Sequence, residues 1–301
     1  MTQISISGAQ WYLSGDITYP GARAEGLLMN VRMVNSTFED RNRTDFDSDA
    51  NTDTFISHIR DYGAHGIRAF TLCLQGGMPG YEDALNSAYE PDGALRDGYL
   101  ERVERVIRAS DENGIAIILG CFYQRQDQLF TDADSIRKAV VNTANWVKER
   151  GFANVVMEVA NEHAHRGFTH EIIRRPEGQV ELIGLAKQAN PDLIVTTSGM
   201  GSGRKSDVVA AAADFIIIHF NNTDIVDVPD RVNALKHFNK PILCNEDTKV
   251  KARGAQVASL CVEHGCSWGL MHSEVNQSQP FEFNGAPDDP IVYERLKELT
   301  Q

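Results

Sequence analysis

Eight short runs of this chain are almost continuously apolar, at residues 27–33, 66–72, 115–121, 154–160, 193–197, 215–220, 241–245 and 268–272. A strand that faces solvent on one side alternates apolar and polar residues. Runs without that alternation therefore select parallel strands covered by helices on both sides. The intervening segments carry helical periodicity: Leu100, Val103, Val106 and Ile107 share one face, and so do Ile136, Val140, Ala144 and Val147. Asp53 and Asp134 read as N-caps, and Gly63, Gly114, Gly151 and Gly265 as helix stops ahead of strands. Doubly wound sheets usually end at about five or six strands. Eight β/α units instead predict an α/β protein with a single (β/α)8 TIM barrel over residues 1–301. Residues 1–25 are expected to form a short N-terminal hairpin capping the barrel bottom, because a frayed extension would leave Trp11 and Tyr12 in water.

Composition narrows the function classes. A formal net charge of -13 on 301 residues opposes binding to nucleic acid and to anionic membranes, and disfavours polyanionic glycans unless a local basic patch overrides it. The five cysteines are odd in number and lack Cys-x-x-Cys spacing, so neither a disulfide framework nor a zinc ribbon is indicated. The start lacks a basic and apolar leader pattern, and no apolar run reaches the roughly 18 residues of a membrane span. A cytoplasmic location is expected for the chain as given, and a secreted one if a signal has been removed. No cofactor is expected, and the oligomeric state is not encoded in any pattern.

Two of the eight runs end in Asn-Glu, at Asn161-Glu162 and Asn245-Glu246. In a (β/α)8 barrel the C-terminal strand ends carry the active site, and glycosidic bond cleavage needs two carboxyl groups. Period-two alternation groups Glu162 with Glu158, and Glu246 with Ile242 and Cys244, so both terminal glutamates are expected at the barrel mouth. Retention of configuration needs carboxyls about 5–5.5 Å apart, and inversion needs about 6.5–9.5 Å. Protonating a leaving oxygen calls for a carboxyl whose pKa is raised, whereas a nucleophile needs donors such as Arg68 or Arg32 beside it.

Asn-Glu at the end of the fourth strand, Glu at the end of the seventh and the eight-strand rhythm together resemble glycoside hydrolase clan A, which includes the cellulase-type family 5 enzymes. The resemblance implies Glu162 as acid/base, Glu246 as nucleophile, a retaining double displacement on a β-glycosidic bond, and Asn161 on the sugar 2-hydroxyl. Segment 74–80 and Asn245-Glu246-Asp247 are also similar to a little-described bacterial cellulase-like group. Two strand ends depart from the family 5 pattern: Phe122-Tyr123-Gln124 replaces a terminal His on the third, and Met271-His272-Ser273 lacks a Trp on the eighth.

Gln75, Tyr123, His219 and His272 lie at or near strand ends and are further candidates for binding an oligo- or polysaccharide, as is Arg68. Two rival functions remain. His163, His165 and His170 raise a metal-dependent hydrolase, although the spacing is His-x-His in a loop rather than His-Glu-x-x-His on a helix. A non-catalytic carbohydrate-binding barrel is the other. No Gly-x-Ser-x-Gly supports a serine hydrolase, since residues 198–203 have the wrong frame.

Overall fold

A computed structural model describes residues 1–77 and 82–301. The chain opens with an antiparallel meander of β1 (Ile4–Ser7), β2 (Gln10–Leu13) and β3 (Asp16–Ile17). Parallel strands follow: β4 (Asn30–Arg32), β5 (Ala69–Cys73), β6 (Ala116–Phe122), β7 (Val155–Ala160), β8 (Val195–Thr196), β9 (Ile216–His219), β10 (Ile242–Glu246), β11 (Cys266–Ser267) and β12 (Gly269–Leu270). The ladders run β12-β4-β5-β6-β7-β8 and β11-β10-β9. Single bridges from Ser198 to Ile217 and from Asp247 to Leu270 join the two into a ring. The last two strands are one barrel position split at Trp268, so the eight expected positions are all occupied, and the fold is an α/β (β/α)8 barrel.

The outer layer contains α1 (Ser48–Ala64), α2 (Asp97–Glu112), α3 (Ala133–Glu149), α4 (Glu171–Arg174), α5 (Pro176–Ala189), α6 (Asp207–Ala212), α7 (Val228–Asn233), α8 (Lys251–Glu263) and α9 (Pro290–Thr300). The expected N-caps are corrected: Asp47 and Asp132 accept from Ala50 N–H and Ser135 N–H, whereas Asp53 and Asp134, the aspartates read from sequence, lie inside α1 and α3. Gly63 lies inside α1, and Gly66 takes the left-handed turn after it (φ +89°). Gly114, Gly151 and Gly265 do adopt positive φ where helices stop. No helix among the described residues is long and apolar enough to cross a membrane.

Inside the barrel the side chains grade from apolar to charged. Leu28, Ala69, Ala116, Ile118, Val156, Phe215, Ile217 and Leu243 form the lower layers, and Ile4 and Trp11 of the hairpin join them from below. Trp11 is fully buried, with its ring 5.0 Å from Phe215 in an edge-on arrangement. The hairpin thus contributes a large part of the lower core. Trp11→Ala should destabilise the protein by about 3–5 kcal/mol. A urea titration followed by tryptophan fluorescence and circular dichroism checks this; an unchanged midpoint would contradict it.

Candidate active site

Each glutamate reaches the mouth through a local break in strand geometry. Glu162 follows β7 with a left-handed backbone (φ +48°), held by its N–H donating to Ser198 Oγ at 2.7 Å. The turn lets Asn161 also face inward: Arg32 Nη2 donates to its Oδ1 at 2.8 Å, and its Nδ2 donates to Gln124 Oε1 at 3.1 Å. On β10 the parity read from sequence is corrected. Ile242 and Cys244 face the outer core, while Leu243 and Asn245 face inward. Glu246 reaches the interior only because the pairing with β9 slips between Cys244 and Glu246, which makes Asn245 an extra residue.

The two carboxylates are close. Glu162, His219 and Glu246 each present one ligand atom within 4.8 Å of the others. His219 Nδ1 stands 3.1 Å from Glu162 Oε1 and 3.6 Å from Glu246 Oε2. The Arg32 guanidinium lies 3.2 Å from Glu246 Oε2, and Asn221 Nδ2 donates to Glu246 Oε1. Arg32 and His219 are fully buried, whereas Glu162 and Glu246 are 9% and 5% exposed, enough to meet a substrate edge. Beneath them Glu158 is buried and accepts from Asn245 Nδ2 at 3.0 Å, a structural role. Asp247 is similarly occupied, accepting from Trp268 Nε1 at 3.0 Å and pairing with Lys249 at 2.9 Å.

Proton placement differs from the expectation of a raised acid. Burial works to raise the Glu162 carboxyl, but the hydrogen bond and charge of His219, helped by His165 and Arg32, leave it below the usual carboxylate value. Burial works the opposite way on His219, and Glu246 and Glu162 outweigh it, so the imidazole is raised. The sign for stability follows. The His219 contribution is present below its unfolded value of about 6.5 and is lost as pH rises through the raised folded value. The Glu162 contribution is present above its unfolded value and is lost as pH falls through the lowered one. Melting temperature should therefore fall on the alkaline side in the wild type. That alkaline fall should vanish in His219→Asn; an identical pH profile in the two proteins would refute the pairing.

The remaining candidates separate. Arg68 is misplaced by the sequence reading: it precedes β5 at the barrel bottom, donates to the Gly63 and Ile67 carbonyls at 2.9 Å each, and lies over the Tyr19 ring. Arg32 takes the position beside Glu246 that either arginine was expected to fill. Gln75 is buried in the wall, with Nε2 donating to Ser87 Oγ at 3.1 Å and to the Gln126 carbonyl at 3.3 Å. Tyr123 packs with Val34 and Cys73, its ring 5.6 Å from the Arg32 guanidinium, and a Cβ on Gly76 would collide with it. His272 is buried past β12, and its Nδ1 has no partner among the described residues. The segment 74–80 is described only as far as Gly77, so the rest of that loop lies outside the described residues.

The three loop histidines do not converge. His163 Nδ1 lies 3.3 Å from the Arg174 carbonyl, His165 Nδ1 accepts from Gly167 N–H at 3.0 Å, and His170 pairs with Asp127 at 3.0 Å. Burial, then the charge of Lys205, pushes His163 down to about 4. Among the described residues the cation-sized grouping is Glu162, His219 and Glu246. Arg32 already supplies a positive charge there, which opposes a divalent ion.

Asn221 and Ser198 were missed in the sequence. Asn221 lies two residues beyond His219 and could have been found by continuing the inward parity past the strand. Nothing in the local pattern marks Ser198, whose role depends on the turn at Glu162.

No protein-family model and no curated protein sequence matches this chain. Solved structures do. An endo-1,4-β-mannanase from Rhizomucor miehei matches with a TM-score of 0.68 at 11% identity, over 99% of this chain and 98% of that one. A β-1,4-D-mannanase from Cryptopygus antarcticus gives 0.66 at 12% identity, over 99% and 95%. A GH5-4 broad specificity endoglucanase from Clostridium longisporum gives 0.63 at 10% identity, over 91% and 97%. With eight barrel positions, the chain shares the (β/α)8 fold of these two mannanases and the endoglucanase.

Proposed function

We propose that this protein is a retaining glycoside hydrolase that cleaves a β-glycosidic bond of an oligo- or polysaccharide. The observation that carries the reading is the approach of the two carboxylates to within 4.8 Å, close to the separation used for retention and below the roughly 6.5–9.5 Å that inversion needs. Glu246, oriented by Arg32 and Asn221, attacks the anomeric carbon. Glu162 delivers the proton it shares with His219 to the glycosidic oxygen, the carbon–oxygen bond breaks, and the leaving group departs as an alcohol. Water then attacks the glycosyl ester while Glu162 accepts its proton, releasing the sugar and restoring the Glu246 carboxylate. Sharing with His219 makes a lowered Glu162 compatible with acid catalysis, because one proton serves the pair. The mannanases and endoglucanase of similar fold favour a carbohydrate substrate.

Incubation with a panel of 2-deoxy-2-fluoroglycosides, followed by intact mass and peptide mapping, tests the reading. A single glycosyl adduct on Glu246 is expected. Saccharide affinity with no adduct and no turnover would point instead to a binding barrel.

A further inference from the structure

The two strands that carry the glutamates are not paired with each other. β7 lies in the ladder β12-β4-β5-β6-β7-β8 and β10 in the ladder β11-β10-β9, three barrel positions away. Side chains therefore set the distance between Glu162 and Glu246. Two of the links run through third strands: Arg32 of β4 meets Asn161 and Glu246, and His219 of β9 meets Glu162 and Glu246. One link is direct. Asn245 Nδ2 donates to Glu158 Oε2 at 3.0 Å, joining residues 87 positions apart.

The indirect links end on reacting groups, and the reaction weakens them. Glu246 gives up its charge when it becomes a glycosyl ester, so its attraction to Arg32 and His219 falls in the middle of the cycle. The direct link involves no atom that changes charge. Glu158 is 1% exposed and Asn245 is fully buried, so the carboxylate accepts from the amide where water does not compete, which strengthens a charge-assisted hydrogen bond. Its place matters as much as its strength. Glu158 precedes Glu162 by four residues on the same strand and turn, and Asn245 directly precedes Glu246. Cys244 stands opposite Ile218 and Glu246 opposite His219, which leaves Asn245 with no opposite residue on β9. Glu158 supplies the contact that this surplus residue lacks in the ladder.

We infer that Glu158 and Asn245 are positioning residues for the reaction: their hydrogen bond, a strut across the barrel, holds Glu246 at the separation from Glu162 that retention requires, both before and after Glu246 is esterified. This rests on the reading of Glu162 and Glu246 as the catalytic pair. Both members of the strut are buried and act through Glu246.

The test compares Glu158→Gln with Glu158→Met. Both remove the charge and nearly conserve the volume, but only glutamine keeps an acceptor for Asn245. The Oε1 that its amino group replaces makes no hydrogen bond among the described residues. Each variant is treated with the 2-deoxy-2-fluoroglycoside that labels the wild type, freed of excess reagent and left to reactivate. Inactivation reports attack by Glu246, and reactivation reports hydrolysis of the ester. At saturating reagent both are first-order constants, independent of the folded fraction, so a role in stability alone does not move them. Glu158→Met should slow inactivation by about 10²-fold and reactivation by at least as much, the cost of displacing a reacting atom by about 1 Å. Glu158→Gln should stay within about fivefold of the wild type in both, because a neutral acceptor gives a weaker but intact hydrogen bond. Asn245→Ala cuts the same bond from the other strand; it should match Glu158→Met and takes its place in the comparison if that variant does not fold. Equal constants in Glu158→Gln and Glu158→Met, or wild-type constants in Asn245→Ala, would overturn the inference while leaving the glycosidase reading intact. A wild type neither labelled nor active on any aryl glycoside would overturn both.

Discussion

Glu246→Gln should abolish turnover, lowering kcat by at least about 10⁴-fold, because it removes the attacking oxygen while keeping nearly the same shape. The amide leaves Arg32 without its carboxylate partner at 3.2 Å, so a modest loss of stability should accompany the loss of rate. The measurement is initial rate on an activated aryl glycoside, with the melting temperature recorded on the same preparation. A folded variant of full activity would remove Glu246 from the reaction altogether.

Glu162→Ala should behave differently for good and poor leaving groups. Substrates with poor leaving groups need the proton and should slow by about 10²–10⁴-fold. A dinitrophenyl glycoside needs little protonation, so its glycosylation should stay fast and a glycosyl-enzyme should accumulate, visible as a burst of phenolate. Azide can then fill the space left by the carboxylate and should restore turnover, giving a glycosyl azide of retained configuration. Equal slowing for both leaving groups, with no burst, would assign the proton donor elsewhere. His219 is the alternative donor within reach, 3.1 Å from Glu162.

The barrel was legible because burial on both strand faces imposes a pattern that composition alone cannot mimic. The two glutamates were legible because both runs end in the same two letters. What the sequence concealed was local geometry. Alternation assigned Glu246 the parity of Cys244, and only the slip at Asn245 explains how it turns inward. Arg68 and Arg32 looked equivalent as strand arginines, yet one precedes its strand and the other ends one, which places them at opposite ends of the barrel. The raised acid expected from burial was reversed by His219, a partner that lies 57 positions along the chain. Pairings of that kind arise from ring closure and have no local signature.

The slip at Asn245 also makes the choice of reacting group a matter of counting. The run Asn245-Glu246-Asp247 presents three polar side chains in succession, and the ladder with β9 assigns each a different duty: one to Glu158, one to the mouth, one to Trp268 and Lys249. Were the five residues of β10 kept and the slip absent, strict alternation would put Glu246 on the side of Cys244, toward the helices. A frame held by one surplus residue is exact but brittle. The segment should therefore accept substitutions on its outer face far more readily than any change in its length.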